Sequence, residues 1–361
     1  MPEAYIPSLL QTRVLKLVRI RRERMLPTRG TVMMQTGNRV GSLDIVARAE
    51  SVGHLRSVPL ARYLHVAEKD LAKYLVKQPG DQIQAREIIA SKPEFLGTLR
   101  RIYRAPSNGK ITALQGAWLT MDLIDEPFEL KALYRGTIIN VMPRQGVVIE
   151  ATGAWIQGVW GTGGESFGVL KKMVDAPDQV LTDDKIDLSA RGVILIAGAG
   201  VTEATIQRAV QERAAGLIVG GLQPHLRQVA KNLGLTTIVT EGLGERAMSA
   251  PMFDLLTSHN GDEAVLNTFD DLRGMTRPEI FIPVLVTAGS SDSAMPPPAL
   301  IADVGSPVRI AAGAHRGEIG KIVDMPAMPR TLESGVQAWG AEVQVSEEHF
   351  FVPWDNLELI D

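Results

Sequence analysis

Apolar and polar positions alternate along the first third of the chain in short runs punctuated by glycine. One unit runs through Gly30 and Val32, turns at Gly37, and resumes from Val40 to Ala47. A second passes Tyr74 and Val76, turns at Gly80, and continues through Ile83 to Ile88 and Ala90. A third, 104–111, places Asn108-Gly109 where a hairpin tip would sit. Tight turns between short β-branched runs predict a meandering β body. Between the first two units, Leu60, Leu64, Leu71 and Leu75 recur at helical spacing and predict a helix over 59–76. A further β section covers 134–141 and 146–149. It is followed by the glycine-rich stretch 155–165, whose Trp155 and Trp160 are expected in a core, since large aromatic side chains are mostly buried.

The period changes in the middle of the chain. Gly192-Val-Ile-Leu-Ile-Ala197 reads as a buried strand and 202–213 as a helix with Thr202 as its N-cap. Then come a strand at 216–219, a helix at 224–233 and a strand at 235–239. Strand and helix in alternation predict right-handed crossovers and a parallel sheet. A helix at 250–258 and a strand at 279–282 complete this part. Ser and Pro dominate 289–298 and mark an exposed connector. The last stretch is rich in β signals again: Gly305, Val308, Ile310, Gly313, Gly317, Gly320, Ile322, then 341–345, 350–353 and 356–360.

Composition narrows the classes. At 361 residues two or three domains are expected, and no apolar run is long enough to cross a bilayer. Without a secretory pattern at the start, the expected location is cytoplasmic. The absence of cysteine removes disulfides, thiolate metal sites, iron–sulfur ligation and a thiol nucleophile. The net charge of −3 conceals a strong polarity. Residues 1–110 hold 20 Lys and Arg against 9 Asp and Glu, leaving 18 against 32 for the rest. The basic run around Arg19, Arg21 and Arg22 suits an anionic partner such as nucleic acid, or equally the acidic remainder of the chain itself.

Two resemblances follow from these segments. The order of Gly305, Val308, Gly313, His315, Gly317, Gly320, Lys321 and Trp354 resembles a KOW-type SH3-like barrel, as in ribosomal proteins and NusG-like transcription factors. The Gly80-Asp81-Gln-Ile83 to Asn108-Gly109-Lys-Ile111 phrasing resembles a barrel-sandwich hybrid, although no lysine stands in the setting a swinging-arm cofactor requires. The order of segments is similar to a poorly characterised prokaryotic family. The fold class expected is therefore mixed and multi-domain. A β-rich barrel-sandwich-hybrid-like region spans 1–150, and an α/β domain with a parallel sheet spans 151–288. A linker at 289–304 leads to a KOW or SH3-like barrel at 305–361.

Candidate chemistry lies in two places. In open α/β sheets ligands sit beyond the carboxyl ends of the strands, which here carry Gly198, Gly200, Thr202, Gly220, Gly221, Glu241, Gly242, Gly244 and Glu245. Amides there would suit a phosphate-bearing ligand, whereas tight βα turns would use the same glycines with no ligand. The segment from Gly216 through Gly220-Gly221 to His225 is similar to the phosphohistidine segment of swivelling domains, with Pro224 replacing the usual hydroxyl residue. In the C-terminal module, Arg309, His315, Arg316 and Lys321 are the donors by which a KOW barrel would meet RNA or protein. Acidic residues outnumber basic ones there by at least two to one, which favours a protein partner. The six histidines show no metal spacing, and no nucleophile elbow occurs. The expectation is a binding or scaffold protein without catalytic residues, metal or cofactor. It would act through a protein partner or self-assembly. The alternatives are an RNA-, ribosome- or transcription-associated protein, or an enzyme or sensor for a phosphate-bearing small ligand.

Overall fold

The computed structural model describes residues 10–49, 53–94, 99–124, 127–269, 277–284, 295 and 302–360. Its two longest strands, Val14–Met25 and Gly146–Gln157, run antiparallel from Met25 opposite Gly146 to Val14 opposite Ile156. The other edge of Gly146–Gln157 is divided. Its first half pairs with Gly136–Met142 and its second with Glu279–Pro283. Beyond Glu279–Pro283 the sheet continues through Glu263–Asn267 to Glu165–Lys172. There it becomes parallel, through Val193–Ile196, Gly216–Leu222 and Thr237–Leu243. With Arg39–Val40 and Trp160–Gly161 at its ends, this is one mixed sheet of 11 strands.

Side chains alternate across that sheet and divide two cores. Ala154, Ile156, Leu266, Ile280 and Ile282 face the core of the α/β half. Trp155, Val265 and Phe281 face the opposite core, with Val18, Ile20, Val147, Ile149 and Tyr134. Strands covered on both faces lose the polar-out alternation, which is why 280–282 reads as an unbroken apolar run. The boundary drawn at 150 lies inside the single strand Gly146–Gln157. The two halves meet across the faces of a shared sheet rather than end to end.

The remaining units sit on their own cores. Gly53–Val58, Trp118–Ile124, Asn108–Gln115 and Gln82–Ile83 form a sheet over Leu60, Leu64, Ile89, Ile111 and Met121. Asn108-Gly109 is not a hairpin tip. It opens a strand, where a Cβ on Gly109 would lie 2.2 Å from the Asp122 carbonyl oxygen, so the glycine serves close backbone approach. The helix expected over 59–76 is broken into α1 (Leu60–Leu64) and a 3-10 turn, Glu68–Tyr74. His65 takes a left-handed conformation, and Val66 donates back to Ala61, which closes α1 after five residues. Helices α2 (Glu203–Gln211), α3 (Leu226–Leu233) and α4 (Ala250–Ser258) follow the expected spacing.

At the C-terminal end, Leu357–Ile360, Pro307–Ile310, Ile319–Asp324, Gly340–Val345 and Glu348–Pro353 wrap a core of Val308, Ile310, Ile322, Val343 and Leu359. A sixth strand comes from the other end of the chain, since Leu10–Thr12 pairs in parallel with Leu357–Ile360. Most of the connector expected at 289–304 lies outside the described residues. The protein is thus β-rich, with several sheets, one of them mixed. No helix among the described residues is long and apolar enough to cross a membrane.

Candidate functional site

The glycines at the carboxyl ends of the parallel strands are used by the chain itself. A Cβ on Gly198 would lie 2.4 Å from the Gln179 carbonyl oxygen, one on Gly220 2.4 Å from that of Arg246, and one on Gly221 2.2 Å from that of Gly244. Their absent side chains let neighbouring strand ends interlock. The amides of Gly220 and Gly221 donate to the carbonyls of Gly198 and Ala199, and the amide of Gly244 to that of Leu222. Thr202 caps α2 reciprocally with Thr205. Gly242 lies beside the Arg246 guanidinium, which donates to the Glu241 carbonyl at 3.1 Å. Glu245 is exposed and lies next to Gly200, and His225 is exposed at the start of α3. Backbone fills the space beside Gly198, Gly220 and Gly221, whereas a Cβ on Gly244 would meet nothing within 4 Å.

Glu241 and Arg309, assigned by sequence to two different surfaces, meet each other. The Arg309 guanidinium is bound by the carboxylates of Glu241 and Glu358, and all three side chains are less than a tenth exposed. Glu241 also accepts from the Ser249 amide at 2.9 Å, and Arg277 reaches Glu358 at 3.4 Å and the Gly158 carbonyl at 3.0 Å. The C-terminal unit is therefore fastened to the α/β half by a buried ion-pair cluster. His315, Arg316 and Lys321 lie elsewhere on that unit. The His315 ring stacks on Phe350 at 3.9 Å and faces Glu318 at 3.1 Å, while Arg316 and Lys321 are exposed.

The basic strand Val14–Met25 is two-sided because its side chains alternate. Arg22 and Arg24 turn inward. Arg22 binds the Glu279 carboxylate through two bonds of 2.8 and 2.5 Å, and Arg24 binds Glu165 in the same bidentate way. Glu279 also accepts from the Tyr134 hydroxyl at 2.5 Å and the Trp155 indole at 2.7 Å, and Asn267 donates to the Tyr134 oxygen at 3.3 Å. Burial alone would raise the Glu279 carboxyl, but the bonds and charge of Arg22, with Tyr134 and Trp155, reverse this and hold it below the ordinary carboxylate range. Burial, reinforced by the Glu279 charge, pushes the Tyr134 hydroxyl well above its usual value. Burial works against the Arg22 charge, but Glu279 outweighs it and raises its pKa.

Arg19 and Arg21 turn outward, and the sheet register shows what joins them. Arg39 pairs with Thr137, Thr137 with Glu150, and Glu150 with Arg21. One step along, Thr152 pairs with Arg19, and the exposed Arg135 immediately precedes Gly136–Met142. Arg19, Arg21 and Arg39 thus share one sheet face around Glu150, which takes a 2.9 Å bond from Arg21, with the exposed Arg135 at its margin and Glu23 as a second acid on the face.

Beside that face is a groove of about 720 Å³, set where the edge of Gly146–Gln157 passes from Gly136–Met142 to Glu279–Pro283. Its floor includes Thr137, Glu150 and Thr152. Its walls include the 39–44 turn, Arg135, Phe167, Glu263, Pro283 and Val284. Ser42 also lines it, and the Ser42 hydroxyl is buried with no hydrogen-bond partner among the described residues.

Arg39, Arg135, Thr137, Thr152 and Ser42 carried no signal in the sequence. Alternation could place Arg135 and Thr137 on one face, but only the pairing of distant strands brings them to Arg39 and Arg19. Trp155 and Trp160 are both buried, at 6% and 8% exposure, as expected of core residues. Among the described residues no group of three or more acidic or histidine side chains is placed to hold a metal ion. No family model matches the chain, and no curated protein matches it.

Proposed function

We propose that the chain is a non-catalytic binding and assembly protein that presents the Arg19, Arg21, Arg39 and Arg135 face to an acidic protein partner. The observation that carries this reading is the sorting of the arginines. Those that point inward are each held bidentately by an acid of a distant strand, the buried Glu279 for Arg22 and Glu165 for Arg24, and on the outward face Arg21 binds Glu150, with Glu23 the other acid of that strand face. A surface holding that much uncompensated positive charge steers and orients an anionic partner. The docked C-terminal unit, read as a KOW or SH3-like barrel, then offers His315, Arg316 and Lys321 as a second, separate contact. In the same reading the region 1–150 is the barrel-sandwich-hybrid-like part, with the 53–124 unit inside it. Its core and short sheet support that assignment.

The second reading is RNA, ribosome or transcription-complex association, favoured by the same four arginines. Isolation of the native assembly from its source, with and without nuclease, separates the two. Wild type and an Arg19→Glu/Arg21→Glu variant are compared. Association that survives nuclease and is lost in the variant is expected. Association released by nuclease transfers the function to nucleic acid, and association unaffected by the variant overturns the role of this face.

A further inference from the structure

We infer that the groove at the sheet fork binds a small molecule through an oxyanion group, either a carboxylate or a phosphoryl group. The inference rests on the reading of the arginine face as anion-binding and narrows it to its groove end. Arg39 and Arg135 both line the groove, Arg39 opposite Thr137 and Arg135 immediately before the strand that carries Thr137. Neither guanidinium has a partner among the described residues, although Arg21, Arg22, Arg24 and Arg309 all do. Two like charges held side by side repel, and a shared oxyanion removes that repulsion while accepting from both planar forks.

The surroundings leave room for it. Position 41, next to Arg135, is glycine, and a Cβ there would meet only the Asp44 carboxylate, at 3.6 Å. Asp44 itself is engaged by the Gly41 amide at 2.8 Å, and Glu150 is drawn to Arg21, so neither carboxylate is turned wholly to the two arginines. Thr137 and Thr152 add hydroxyl donors from the floor. The unsatisfied Ser42 hydroxyl is a further polar group at this site, and buried orphan groups are rare enough to ask for a partner. A volume of about 720 Å³ suits a metabolite-sized ligand. The far wall sets the ligand's polarity. Phe167, Pro283 and Val284 suit an apolar body, and Glu263 repels a second anionic group and favours a neutral or cationic end.

The test uses the full chain, with inorganic phosphate and succinate as probes in calorimetric titration and thermal-shift assays. The set is wild type, Arg39→Gln, Arg135→Gln and Arg19→Gln/Arg21→Gln. All four changed side chains lie at the surface, so the variants are expected to fold. Saturable binding of at least one probe is expected. It should weaken by about tenfold or more in Arg39→Gln and Arg135→Gln, and by no more than about threefold in Arg19→Gln/Arg21→Gln. Preference for phosphate or for succinate then identifies which oxyanion the groove takes. No binding of either probe overturns the inference, and so does equal weakening in every variant, which would mean diffuse attraction by the whole face. Retained probe binding in Arg19→Gln/Arg21→Gln, with loss of the macromolecular partner in Arg19→Glu/Arg21→Glu, keeps the failure of one proposal distinct from the failure of the other.

Discussion

Arg19 and Arg22 stand on the same strand, and their positions could hardly differ more. Arg22 lies against Trp155, with its guanidinium 5.2 Å from the ring centre, and is held by a buried carboxylate. Arg19 is on the other face, near Arg21 and Arg39, with Glu150 and Glu23 as the acids there. Both belong to one basic run in the sequence. The contrast shows that a charge count along a chain says little about available charge, because strand alternation divides it between interior and surface. The interior half of the run acts as a cross-link between distant segments. The surface half is left for a partner.

The largest effect expected from breaking this contrast is at Glu279. Glu279→Ala leaves Arg22, Tyr134 and Trp155 without their common acceptor and should cost about 3–5 kcal/mol, read from the urea midpoint. Loss below about 1 kcal/mol would mean that water or a neighbour replaces the carboxylate. Next is the link to the C-terminal unit. Arg309→Ala leaves Glu241 and Glu358 buried without their main counter-charge, and about 3 kcal/mol of loss is expected. Limited proteolysis should then release the 302–360 unit sooner than in wild type, while the 11-stranded sheet persists.

A smaller, graded effect is expected with pH. The Glu279 carboxyl is held below its unfolded value, so its contribution is complete above the unfolded pKa of about 4.3 and is lost as pH falls through the lower folded value. Urea midpoints at successive pH values below about 4.3 should fall more steeply for wild type than for Glu279→Gln. Equal slopes would show that other carboxylates govern acid unfolding. The smallest effect on stability is expected on the outward face. Arg39→Gln and Arg135→Gln should each stay within about 0.5 kcal/mol of wild type, because nothing in the fold depends on them. A larger loss in either would place that side chain among the cross-links and remove it from the binding surface.

The α/β half was the most legible part of the sequence, because long apolar periods and caps such as Thr202 are local signals. The buried tryptophans and the turns at Gly37 and Gly80 were also legible. What the sequence concealed was non-local. The shared strand Gly146–Gln157 gave no sign that two cores lie on its opposite faces. The pairing of Glu241 with Arg309 joins residues assigned to different roles, and nothing in either neighbourhood marks the other. At Asn108-Gly109 a strong local turn signal gave way to close packing against the Asp122 backbone. The arginine face needed three strand registers at once, and those are set by turns and cores far from the arginines themselves.

The short strand Leu10–Thr12 has a consequence for how the molecule is made. Its partner, Leu357–Ile360, is synthesised long after it. On the ribosome the segment at residue 10 therefore waits until residue 360 has been made before its place in the sheet exists. The 11-stranded sheet needs only residues up to 283 and can close earlier, so the clasp between these two strands is expected to form after it.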